Sequence, residues 1–135
     1  YFRHLTGSDP AAGVEIEETV PTGARWTLES FYATLVTAAT GGQARLPSLF
    51  YQTAAGNKFC SAKAILSISV STTQAFSWSS AFAINGAIAG AIMGPTAPGV
   101  VLLAGDTIGT LVVTLSAGDD WGAPEYLVRE WLEAA

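Results

Sequence analysis

The chain has 135 residues, half of them apolar and only 13% charged, and its formal net charge is −5. That is one domain with ample material for a core, but its surface is poor in charge against the roughly 25% usual in soluble domains, so part of the apolar excess is expected to lie against a partner. The six cations, Arg3, Arg25, Arg45, Lys58, Lys63 and Arg129, form no stripe that could track nucleic acid, and a lone cysteine, Cys60, excludes an internal disulfide or a multi-cysteine metal site.

Residues 1–13 have no sustained period and end in turn formers, which predicts an extended N-terminal arm ahead of a single domain over 14–135. Tyr1, Phe2 and Leu5 are its candidate contacts with a neighbour. Tyr1 to His4 do not read as a signal peptide. His4 is the only histidine, too few for a multi-histidine metal site. Residues 14–20 alternate apolar and acidic ahead of Pro21, as a half-exposed edge strand would, with Glu15, Glu17 and Glu18 as a solvated face.

The turn Val20-Pro21-Thr22-Gly23 then opens the longest extended run, residues 25–37. One alternate set is Trp26, Leu28, Ser30, Tyr32, Thr34 and Val36; the other is Thr27, Glu29, Phe31, Ala33, Leu35 and Thr37. Each set carries apolar side chains, so the strand is expected to be covered on both sides, by the core and by a neighbouring subunit that meets Phe31 and Leu35.

Further on, Gly56-Asn57 marks a hairpin between residues 45–53 and 58–62. Residues 65–71 alternate, which predicts a strand with Leu66, Ile68 and Val70 turned inward. Across residues 75–84 the period of two is clear, with Phe76, Trp78, Ser80, Phe82 and Ile84 on a large face and Ala and Ser on a small one. Residues 85–99 read as a long apolar loop, expected either to bury Ile88, Ile92 and Met93 between subunits or against another protein, or to fold over its own end of the sandwich. Gly and Pro interrupt residues 81–104 too often for a membrane-spanning helix.

A short buried strand is expected at 100–103 and a longer one at 107–116, where Leu111, Val113 and Leu115 share a face with Gly109. In both Gly23 to Trp26 and Gly105 to Ile108, a glycine precedes by three residues the large apolar residue that starts a β-rich run. The chain ends in residues 125–133, where an amphipathic helix placing Leu127 and Trp131 four apart competes with a strand; the preceding Asp119-Asp120-Trp121-Gly122-Ala123-Pro124 turn favours the strand.

No Gly-x-Ser-x-Gly or phosphate-binding glycine loop is present, so neither an enzyme nor a cofactor is expected. Asp106, Asp119 and Asp120 in two turns could hold calcium, but turn aspartates commonly bond their own backbone, and no metal site is assigned.

The fold class predicted is an all-β, jelly-roll-like antiparallel β-sandwich. Val20-Pro21-Thr22-Gly23-Ala24-Arg25-Trp26-Thr27-Leu28-Glu29-Ser30 followed by Tyr32 to Thr37, Leu103-Ala104-Gly105-Asp106-Thr107-Ile108, Ala117-Gly118-Asp119-Asp120-Trp121, and Leu127-Val128-Arg129-Glu130-Trp131 together resemble small virion proteins of tailed bacteriophages. The resemblance covers a third to a half of the chain and leaves out residues 38–99. It implies a β-sandwich that decorates or cements a capsid or sits in the tail, often as a trimer, with other virion proteins such as the major capsid protein as partners and the virion as its location. The competing expectations are a glycan-binding jelly roll that stacks sugars on Trp78, Trp121 or Tyr126, and a cupin-like enzyme, which the shortage of histidine disfavours.

Overall fold

The computed structural model describes residues 1–39, 43–79, 90–97 and 99–133, which form strands and turns without a helix. In chain order the strands are β1 (Phe2–Thr6), β2 (Glu17–Thr19), β3 (Ala24–Val36), β4 (Ser48–Gln52), β5 (Lys58–Lys63), β6 (Thr73–Ser79), β7 (Ala91–Pro95), β8 (Thr107–Leu111), β9 (Asp120–Trp121) and β10 (Glu125–Leu132). They make two sheets laid face to face. The larger has the order β1-β10-β3-β6-β7, with β9 beside the end of β3; the smaller has the order β2-β8-β4-β5. Every pairing is antiparallel except β6 with β7. The partners are nested in sequence: β1 with β10, β2 with β8, β3 with β6, and β4 with β5.

The expected all-β sandwich is therefore the observed architecture. The larger sheet contributes a chain of rings to the core, each touching the next: Trp26, Tyr126, Phe31, Trp78, Phe76 and Trp121, with centroids 5.7–6.2 Å apart. Contacts of this kind add about 0.5–1.5 kcal/mol each beyond the area they bury. The smaller sheet answers with Leu49, Tyr51 and Ile108, and Ile16 and Val20 flank β2.

β3 resolves the puzzle of the two-faced strand. Leu127 pairs with Ser30 and Val128 with Leu28, which leaves Glu29 as an extra residue on β3. This β-bulge shifts the alternation by one. Ala24, Trp26 and Leu28 face the core before it, and Phe31, Ala33 and Leu35 face the same core after it. Both apolar sets thus serve one interior. The expected subunit contact through Phe31 and Leu35 is overturned, since both are 0% exposed between the chain's own sheets.

Three further expectations change. Residues 2–6 of the predicted arm are strand β1, in register on β10 from Phe2 opposite Arg129 to Thr6 opposite Glu125. Residues 65–71 form no strand; only Ile68 pairs, with Arg45, while Ile65 and Leu66 are exposed and Ser71 turns the chain at φ 51°. Periodicity alone cannot make a strand where the neighbouring backbone offers one residue to pair with. Near residue 102 the expected strand shrinks to one bridge between Leu102 and Trp26, which buries Leu102 and leaves Val101 and Leu103 exposed.

Other expectations hold. The terminal segment is the strand expected, β10, and the structure shows that it turns Tyr126, Val128 and Glu130 inward. Phe76 and Trp78 point into the core from β6, while residues 80–84 of that predicted run lie outside the described residues. Thr53 N donates to Asn57 O at 2.9 Å across the β4–β5 hairpin. The two glycine-led turns adopt positive φ, 80° at Gly23 and 90° at Gly105, where a side chain would be strained. They also meet: Val20 N donates to Asp106 O at 2.9 Å and Gly105 N to Val20 O at 3.0 Å.

Candidate assembly surface

The charged groups divide into those used inside the fold and those left on its surface. Arg45 is fully buried and grips Asp119 with two nitrogens, Nε at 3.0 Å and Nη2 at 3.2 Å; it also donates to Ser116 Oγ and Gln43 O. Asp119 accepts from Ala38 N and Ser116 N as well. Burial works against its charge, but Arg45 and these two N–H groups together hold the carboxyl below the usual range. Glu130, buried on β10, accepts from Trp26 Nε1 at 2.7 Å, Tyr1 Oη at 2.8 Å and Arg3 Nη1 at 3.2 Å. The indole N–H does most to depress its pKa, and it outweighs burial with help from Tyr1 and Arg3.

The acidic run before Pro21 is not the solvated face expected. Glu17 is exposed, but Glu15 accepts from Trp121 Nε1 at 2.9 Å, Thr110 Oγ1 at 3.0 Å and Val112 N at 2.5 Å. Burial dominates there and raises its pKa. Glu18 accepts from Tyr126 Oη at 3.0 Å. The polar tips of buried aromatics need acceptors, and these acids supply them. The same contacts remove Trp78, Trp121 and Tyr126 from any sugar platform, because all three rings belong to the core and Trp78 Nε1 donates to Ala62 O.

The turn aspartates do not converge. Asp106 accepts from Leu103 N at 2.9 Å, Asp119 is held by Arg45, and Asp120 is exposed. Among the described residues, no three His, Cys, Asp or Glu side chains are grouped for a metal.

The predicted assembly contacts are dispersed. Tyr1 and Phe2 are exposed at the β1 edge, where the Arg129 guanidinium sits 5.0 Å from the Phe2 ring centroid. Leu5 is half-buried against the core. Ile92 and Met93, expected in a loop, are instead half-buried on the strand β7, which gains its backbone partners by pairing with β6 at the opposite edge of the same sheet. Ile88 lies outside the described residues.

Two apolar areas that periodicity did not single out are grouped instead. A hollow of about 590 Å³ is lined by Arg25, Val101, Trp131, Leu132 and Glu133, and its charged rim is closed on itself because Arg25 Nε donates to Glu133 Oε1. The second, of about 410 Å³, lies on the outer face of the smaller sheet beside β5 and includes Phe50, Lys58, Phe59, Lys63, Leu111 and Val113. Phe50 lies over Gly109, where a Cβ would meet its ring at 2.7 Å, and Lys58 Nζ stands 4.7 Å from its centroid. Val113, expected on one strand face with Leu111 and Gly109, lies beyond the end of β8 and is 89% exposed.

All four arginines are ion-paired within the chain: Arg3 with Glu130, Arg25 with Glu133, Arg45 with Asp119 and Arg129 with Glu29. Lys58 and Lys63 have no carboxylate partner among the described residues. The sequence did carry a signal here, since these are its only lysines and they bracket one predicted strand.

No protein-family model, no curated protein and no solved structure matches the chain.

Proposed function

We propose that this chain is a virion structural protein of a tailed bacteriophage, a jelly-roll sandwich that decorates or cements the capsid. It would assemble as an oligomer, a trimer being the expected form, in contact with the major capsid protein and in the virion after assembly in the host cytoplasm. The nested pairing of β1 with β10, β2 with β8, β3 with β6 and β4 with β5 carries this reading. Wrapping one long antiparallel ribbon into two sheets is the jelly-roll arrangement, and it agrees with the resemblance of the chain's two ends to phage virion proteins.

A non-catalytic role fits the chemistry, because Asp119, Glu130, Glu15 and Glu18 are each engaged in holding the fold. The mechanism is adhesion. Apolar burial at roughly 25 cal/mol per Å², repeated over many copies, reinforces a shell although each contact is modest. Particles lacking the protein should bind it when it is added back and resist heat or osmotic shock better for it. A chain that sediments as a monomer and binds no such particle would overturn the reading, and retention on isolated tails rather than heads would move the protein to the tail.

A further inference from the structure

The smaller sheet carries opposite charge at its two edges. Its strand order is β2-β8-β4-β5, and among the described residues no strand pairs with the far side of β2 or β5, although β7 of the larger sheet approaches the Lys63 end of β5. One row across it runs Glu17, Gly109, Phe50 and Ser61; the next places Thr19, Thr107, Gln52 and Lys58 in line; a third places Leu111, Ser48 and Lys63 in line. At the β2 edge Glu17 is exposed, and so is Asp9, which follows Ser8, whose N–H points to Glu18 Oε2 at 3.4 Å. At the β5 edge stand the two lysines that no internal carboxylate neutralises, beside the 410 Å³ apolar hollow.

The two edges cannot neutralise each other within one molecule. Three strand spacings separate them, about 14 Å, well beyond the ~8 Å over which exposed charges act at physiological salt. A chain of net charge −5 repels its own copies over most of its surface. The β5 edge is the exception, and the β2 edge of another copy offers two exposed acids to two exposed lysines. From this complementarity we propose that the chain associates head to tail, the β5 edge and hollow of one copy receiving the β2 edge of the next. Such a contact joins different surfaces of identical molecules, so it closes into a ring or runs on as a filament; a ring of three is the form that suits the proposed virion role, on which this inference rests.

Charge exchange tests it by sedimentation velocity across the micromolar range. Lys58→Glu/Lys63→Glu makes both edges acidic, and Asp9→Lys/Glu17→Lys makes both basic. All four residues are exposed, and circular dichroism will check that the variants fold. The wild type should associate, and less as salt is raised. Each variant alone should associate at least about tenfold more weakly, and an equimolar mixture of the two should recover association as mixed pairs and even-numbered assemblies, because each then offers the other an opposite edge, whereas a closed ring of three would force two like variants together. A misfolded variant could not produce that recovery. Association of the wild type that charge reversal leaves unchanged would overturn this interface while leaving the virion reading in place. A wild type that stays monomeric yet binds particles lacking it would likewise overturn the head-to-tail contact alone.

Discussion

The larger and smaller sheets handle charge and aromatic residues in opposite ways. The larger sheet turns most of its rings inward, Phe2 and Trp131 excepted, and consumes its cations: Arg3, Arg25 and Arg129 each meet a carboxylate of the same chain, and Glu130 is enclosed by Trp26, Tyr1 and Arg3. The smaller sheet keeps Phe50, Phe59, Leu111 and two unneutralised lysines toward its outer side. One sheet supplies most of the buried rings, and the other holds the two cations that no carboxylate among the described residues neutralises. The contrast makes the interior of the larger sheet sensitive to change and the outer side of the smaller one tolerant of it.

Phe31→Asp should break that contrast most severely. It puts a carboxylate where the ring is 0% exposed between Tyr126 and Trp78, a loss comparable with the whole stability of a domain, about 5–15 kcal/mol. The expected result is a chain without cooperative thermal unfolding, and a variant with a native near-ultraviolet dichroism spectrum would refute the inward place given to the second apolar set of β3. Arg45→Met comes next. It leaves Asp119 buried without its cation and should cost about 3–5 kcal/mol in urea unfolding. A loss well under 1 kcal/mol would mean that the Ala38 and Ser116 N–H groups suffice for the carboxylate.

Gly109→Ala probes the smaller sheet. The added methyl would meet the Phe50 ring at 2.7 Å and Ile16 O at 2.9 Å, so a loss of about 1–3 kcal/mol is expected. By contrast, Lys58→Glu/Lys63→Glu should change the stability of the isolated chain by no more than about 1 kcal/mol, which thermal melting at low protein concentration will measure.

The finest test is pH. Asp119 and Glu130 have depressed pKa values, so their contribution is present above the ordinary carboxylate range near 4 and fades as pH falls through their folded values. Glu15 has the opposite sign. Its pKa is raised above 4.5, so its contribution is complete below that value and is lost as pH rises through the folded one. Glu15→Gln should therefore compare more favourably with the wild type at about pH 7 than at about pH 4 in urea midpoints. A difference that is flat with pH would remove Glu15 from the pH dependence.

The large face of β6 was legible in the sequence because alternation is a local property, visible in Phe76 and Trp78, and the extended state of β10 was legible from the turn before it. Turns were legible for the same reason, as at Gly23, Gly56 and Gly105. The candidate surface was not. Leu111 and Val113 alternate as residues of one strand face would, yet the chain turns after β8 and leaves Val113 in solvent. Tyr1 and Phe2 were read in an arm and Ile92 and Met93 in a loop, but both pairs lie at edge strands, β1 and β7, at opposite sides of one sheet.

The sequence by itself determined an all-β chain with most of its longer strands, the inward face of β6, and a surface short of charge. Only the tertiary structure decided that the two apolar faces of β3 are one face. That outcome depends on pairing with β10, some hundred residues away, where Ser30 and Leu28 find consecutive partners and Glu29 finds none. It likewise decided which acids are buried, since Trp26 meets Glu130 and Arg45 meets Asp119 only once the two ends of the chain lie side by side. A period of two is written within a few residues; a register, a bulge and an ion pair are written by partners distant in the sequence.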